Sequence, residues 1–221
     1  MLHFPPKTLF DRRVPKKKFY QNLSVSHSVE RKFVEDIESI TWKYKLAPDT
    51  LNLEAGTQVT EIQVFEIFLK GSQIAQSVLT VIDRGVPYHI IFLLRFNEMA
   101  QLRVSYKKEN QNRENTFKVE QYYATDWVPY EQLELEIVGL TMDSVYEHFL
   151  QQISQGRLQP EEEQSMEEAV QRDKQRIELE ATIQKLEQRV RSEKQFNVQA
   201  ELWKRLQLVK KQYLEEFGEG G

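Results

Sequence analysis

Residues 61–96, "EIQVFEIFLKGSQIAQSVLTVIDRGVPYHIIFLLRF", decide how the chain is read. The first ten are β-branched, aromatic and apolar on both faces at their middle, which predicts a central strand. From Gly71 the period changes. Ile74, Val78, Val81 and Ile82 make one helical stripe, Gly85 ends it and Pro87 prevents its return. "YHIIFLLRF" (88–96) then reverts to strand. As the longest apolar run, it falls far short of the ~20 residues of a membrane span.

The same reading extends outward. Upstream, "SITWKYKL" (39–46) predicts a strand, broken by "APDT". A helix precedes it, capped by Ser26 or Ser28, with Val29, Phe33, Ile37 and Ile40 in one stripe. Downstream, 100–108, 117–127 and 133–139 read as strands, with "ENQNRENT" (109–116) a polar hairpin loop. A helix around 142–154 uses Val145, Phe149 and Ile153, and Gly156 closes it. Residues 27–157 therefore read as an α+β domain with flanking helices. Most strand links are short, so the sheet should be mostly antiparallel. Residues 1–26, with three prolines and a basic cluster, read as an extended arm lying across it.

Beyond Pro160 the character changes again, and residues 158–221 form a helical tail. Leu179, Ile183, Leu186 and Val190 are spaced 4, 3, 4, and so are Leu202, Leu206, Val209 and Tyr213. That is coiled-coil spacing. Continuing the first seam lands on Glu193 and Asn197, so the two do not share a register. The tail is either a helical hairpin turning near "SEKQFN" or one long helix that changes its buried face. A seam so narrow needs a covering surface: its own domain, a second copy, or another protein. Phe196, Leu202, Trp203, Leu206, Val209 and Tyr213 are the candidate partner-binding residues.

The formal charge of -4 over 221 residues argues against phosphate binding by the whole surface. Any nucleic-acid contact must be local, and "DRRVPKKKFY" (11–20) is the place for it. Arg12, Arg13, Lys16, Lys17 and Lys18 beside Phe19 and Tyr20 could track a phosphate backbone. The same cluster also fits a solvated arm whose lysine stems cover apolar surface. The chain has no cysteine, which removes disulfides, zinc–thiolate sites and a thiol nucleophile. It has no leader-like or membrane-spanning stretch, so a cytoplasmic location is expected. The four histidines have no metal-ligand spacing, and no glycine-rich phosphate cradle is present. No cofactor or metal is expected.

One acidic pattern could carry chemistry. Asp49 follows Pro48, and Glu61 and Gln63 open the next strand, an echo of magnesium-dependent PD-(D/E)xK nucleases. Gln63 stands where such enzymes place a lysine. A turn Asp beside a strand-edge Glu explains the same residues without catalysis.

The ordered set "PKKKFY", "TLNL", "EIQVFEIFLK", "PYHIIFLL", "VSYK", "YYATDW" and "EKQFNVQAEL" resembles a prokaryotic domain-of-unknown-function family, number forty-three ninety-one. Trp203 departs from the second Asn that many members carry after the EKQFN stretch. Members are often encoded beside helicases and DNA methyltransferases of restriction or phage-defence systems, and no catalytic residue carries over. The resemblance implies a non-catalytic accessory subunit that binds a helicase or methyltransferase and touches DNA only within that complex. The alternative is the nuclease of Asp49, Glu61 and Gln63. A homodimer formed through the tail is a third possibility.

Overall fold

The computed structural model describes residues 2–21, 23–109, 117–160 and 164–218. It divides into two compact units, Met1–Leu158 and Gln159–Gly221.

The first unit is an α+β domain on one seven-stranded open sheet. In chain order it runs β1 (Leu9–Arg13), α1 (His27–Asp36), β2 (Ile37–Leu46), α2 (Pro48–Leu51) and β3 (Ile62–Leu69). It continues through α3 (Gln76–Gly85), β4 (His89–Phe96), β5 (Met99–Glu109), β6 (Phe117–Ala124), β7 (Val128–Pro129) and α4 (Met142–Ile153). Strands β1 to β6 lie side by side in sequence order, and β7 pairs with β5 beyond the end of β6. Every pairing is antiparallel except β3–β4, which is parallel and joined by α3. A parallel pair needs a crossover, and the helix between two apolar runs supplies it. The 110–116 connection between β5 and β6 lies outside the described residues.

One core lies between the sheet and helices α1 and α3. Phe65, Ile67 and Leu69 of β3 and Ile90, Phe92 and Leu94 of β4 meet Phe33, Val78, Leu79 and Ile82 there. The alternate residues Ile62, Val64, Ile91, Leu93, Leu102 and Val104 are fully buried as well. Helix α4 packs against β5 and β6 with Val145, Phe149 and Ile153 buried. Both faces of the central strands are thus covered, as their continuous apolar sequence requires.

Three expectations change. The helical stripe through Ile37 and Ile40 is cut at Asp36. Both isoleucines belong to β2, where they pair with β3, and no loop separates helix from strand. The N-terminal stretch is not a surface arm along its length. Leu9–Arg13 is an antiparallel edge strand on β2, bulged where Asp11 takes a positive φ of 47°, a conformation that Asp tolerates better than most residues. Finally, 133–139 is not a strand, although its alternation buries Leu133 and Leu135. The Gln152 side chain of α4 takes the place of a neighbouring strand: its Nε2 donates to the Glu136 carbonyl and its Oε1 accepts the Glu136 N–H, both at 2.9 Å.

The second unit is a helical hairpin of α5 (Met166–Ser192) and α6 (Phe196–Phe217). Ser165 caps α5 and Glu168 reaches back to the Ser165 N–H at 2.9 Å, a reciprocal capping box. Pairs run antiparallel from the turn outward: Gln199 to the Val190 carbonyl at 2.9 Å, Lys210 to Glu187 at 2.7 Å, and Tyr213 to Glu180 at 3.0 Å. Leu186, Leu202 and Leu206 form the seam, with Ile183, Val190, Val198 and Val209 against them. The two heptad registers are therefore the two sides of one seam. Among the described residues no helix is long and apolar enough to cross a membrane.

Candidate functional site

The basic cluster sits at the β1 edge of the sheet and divides by role. The Lys16 ammonium donates to the carbonyl of Ile37, the residue that caps α1, at 2.7 Å, and Lys70 donates to Val34 at 2.8 Å. Together they satisfy carbonyls that the helix end would leave open and oppose the negative pole of its dipole. Burial, then the neighbouring Lys70 and Arg13 charges, hold Lys16 below the ordinary lysine value. Lys16 is thus committed to the fold. Arg12, Arg13, Lys17 and Lys18 are exposed. The one acid within the cluster, Asp11, is occupied by Lys43 at 2.9 Å. Lys43 also lies 3.7 Å from Glu66, which holds Arg95 at 3.0 Å. This row of alternating sign crosses β1 to β4 and fixes the edge strand to the sheet. Behind it, the Arg12 guanidinium lies 4.5 Å over the Phe10 ring, whose centroid is 4.1 Å from that of Trp42. Arg12 and Arg13 are thus carried on an aromatic-backed edge strand, and Lys17 and Lys18 on the turn Lys16–Phe19 that follows it.

The residues of the nuclease-like pattern differ in their surroundings. Asp49 is exposed on the single turn α2. Glu61 is buried, accepts from the Gln63 amide at 2.7 Å and pairs with Lys45 at 3.2 Å. Glu61 and Gln63 are thus partners of each other. Among the described residues no group of three or more His, Cys, Asp or Glu side chains is placed to hold a metal ion.

The six tail residues separate as well. Leu202 and Leu206 are buried in the seam, Val209 packs against it, and Tyr213 reaches α5 through its hydroxyl. Phe196 and Trp203 point outward, 80% and 53% exposed.

A family model describing Domain of unknown function (DUF4391) matches residues 2–213. The chain belongs to that family. No curated protein and no solved structure matches it.

In this DUF4391 chain one cluster of buried ionisable groups carries no motif. Asp83 at the end of α3 and Lys107 on β5 form an ion pair of 2.8 Å with both side chains fully buried. The Lys107 ammonium also donates to the Tyr88 carbonyl at 2.8 Å, and the Tyr122 hydroxyl of β6 donates to the other Asp83 oxygen. Burial pushes Lys107 below the ordinary lysine value, against the pull of Asp83. Burial and then the Asp83 charge raise Tyr122 far above the ordinary tyrosine value. His89 lies against the rings of Tyr146 and Phe117, at centroid distances of 4.4 and 4.9 Å. Burial, then Lys107, drives its pKa down to about 3. Buried this completely, the ion pair and its tyrosine brace the crossover helix to β5 and β6. A 380 Å³ cleft lined by Thr80, Arg84, Lys118 and Tyr122 opens beside them. Asp83 hides in a helical stripe and Lys107 in a strand's charged end, so neither carries a local signature.

Proposed function

We propose that this chain is a non-catalytic accessory subunit of a prokaryotic restriction or phage-defence assembly, lending a phosphate-binding edge to a helicase or DNA methyltransferase partner. The observation that carries the reading is the β1 edge and the turn after it: Arg12, Arg13, Lys17 and Lys18 are exposed, and Asp11 is occupied by Lys43. Four cations are few for independent binding by a chain of net charge -4. The partner therefore holds the nucleic acid and the edge adds contacts. The gene neighbourhood implied by the family resemblance supplies the class of partner. The buried acids support the non-catalytic part of the reading, since Glu61 is engaged by Lys45 and Gln63, and Asp83 by Lys107 and Tyr122.

The test is purification of the tagged chain from its native cells, followed by DNA binding of whatever complex is recovered. A helicase or methyltransferase should co-purify. Replacing Arg12, Arg13, Lys17 and Lys18 together by alanine should leave the complex intact and weaken its DNA association. It should also flatten the salt dependence, by about 0.9 in log–log slope for each phosphate no longer neutralised. A solitary chain, or a complex whose DNA affinity ignores the four cations, overturns the proposal.

A further inference from the structure

The side of α6 turned away from the seam carries its own apolar line. Phe196, Trp203 and Leu214 are 80%, 53% and 65% exposed. Their spacings of 7 and 11 residues bring all three to one azimuth at about 100° per residue. The inward seam of Leu202, Leu206 and Val209 lies about a third of a turn away. The hairpin has therefore used one stripe of α6 and left a second open.

The occupant is constrained by symmetry and charge. Phe196 and Leu214 are equidistant from position 205, about 27 Å apart along the axis. An identical α6 laid antiparallel about that point sets Phe196 against Leu214 and Trp203 against Gln207, and brings Lys211 to the same side as Ala200, one residue from level. Each aromatic ring thus faces a non-aromatic side chain, and the lysine stem has room to lie over Ala200. Charge is distributed in the same sense. The end of the hairpin nearer the turn, residues 186–205, holds five Lys or Arg and three Asp or Glu. The rest, residues 166–185 with 206–217, holds six and seven. An object positive at one end and negative at the other is complementary to its own copy only head to tail. A parallel pairing would set like ends together. The three side chains offer about 400 Å² per copy. With polar flanks, two copies reach the ~1,000 Å² of a weak but specific interface.

We propose that the outer face of α6 takes a second copy of this chain, antiparallel and centred near residue 205. This inference stands apart from the nucleic-acid reading, because the β1 cations play no part in it.

The experiment is sedimentation velocity on the full chain from about 1 to about 100 µM, the range in which an interface this small titrates. The mass should rise with concentration from 26.3 kDa toward twice that value. Trp203→Glu should shift the dissociation constant upward at least about tenfold at unchanged helical circular dichroism. Phe196→Ser, at a site outside both cores, is the second variant and should do the same. The chain has no cysteine, so orientation can be read by oxidation. A mixture of Ala200→Cys and Lys211→Cys chains should cross-link to each other, and neither should cross-link to itself. Monomers at every concentration, a dimer indifferent to both substitutions, or self-cross-linking of Ala200→Cys would overturn it.

Discussion

Replacing Asp83 by alanine isolates a cation inside the protein. The Lys107 ammonium would keep the Tyr88 carbonyl and lose its counter-charge, in a site where both side chains are fully buried. Removing one partner of a buried ion pair costs about 3–5 kcal/mol, because the remaining charge stays desolvated without compensation. Asp83→Ala should sit at the upper end, since the Tyr122 hydroxyl loses its acceptor in the same step. Lys107→Met should cost less. Its side chain fills the space of the lysine stem, and the Asp83 carboxylate keeps the hydrogen bond it accepts from Tyr122. For a domain of this size, about 2–4 °C per kcal/mol puts the Asp83→Ala transition roughly 6–20 °C lower. The informative variant is the double, Asp83→Leu with Lys107→Met. Apolar replacement of a whole buried pair is often neutral or stabilising, so most of the single-mutant loss should return. Urea and thermal unfolding, followed by near-ultraviolet circular dichroism, would measure all three. If the double costs as much as the two singles added together, the groups are uncoupled and the pair does not brace the crossover helix.

Two further outcomes follow from the geometry. His89 has a folded pKa of about 3 against an ordinary value of 6.5, so the unfolded chain binds the extra proton. Stability is then full above pH 6.5 and falls as pH drops toward 3, by up to about 1.4 kcal/mol per unit and roughly 2 kcal/mol by pH 5. His89→Phe should flatten that slope in urea titrations, and a variant as acid-sensitive as the parent would refute it. Gly56 lies where the loop 57–59 wraps the Asp143 carboxylate, which accepts from the backbone N–H of Thr57 at 2.6 Å, Gln58 at 3.1 Å and Val59 at 2.7 Å. A Cβ on Gly56 would meet an Asp143 oxygen at 2.3 Å and the Val59 carbonyl at 2.5 Å. Gly56→Ala should therefore cost about 1–3 kcal/mol in the same assay, and an unchanged midpoint would mean the loop does not hold this geometry.

Much of the architecture could be read locally. The switch from strand to helix to strand across 61–96, the polar break after β2 and the two 4, 3, 4 seams each fall within one element, where apolar spacing reports which face is buried. The capping box of Ser165 and Glu168 is equally local. The site was less legible. The β1 cations stand out by composition, but nothing near Lys16 says that it ends α1, because its acceptor is 21 residues away.

What the sequence alone determined is therefore the type of each strongly periodic element and the existence of a separate helical unit. Tertiary structure decided the rest. It assigned Ile37 and Ile40 to β2, since β-branched residues suit either period and only pairing with β3 separates them. It made Leu9–Arg13 an edge strand and left 133–139 without a strand partner. It joined Asp83 to Lys107 and Asp143 to Thr57, 86 residues apart. Such contacts depend on where the chain returns, and a return leaves no period in the residues that make it.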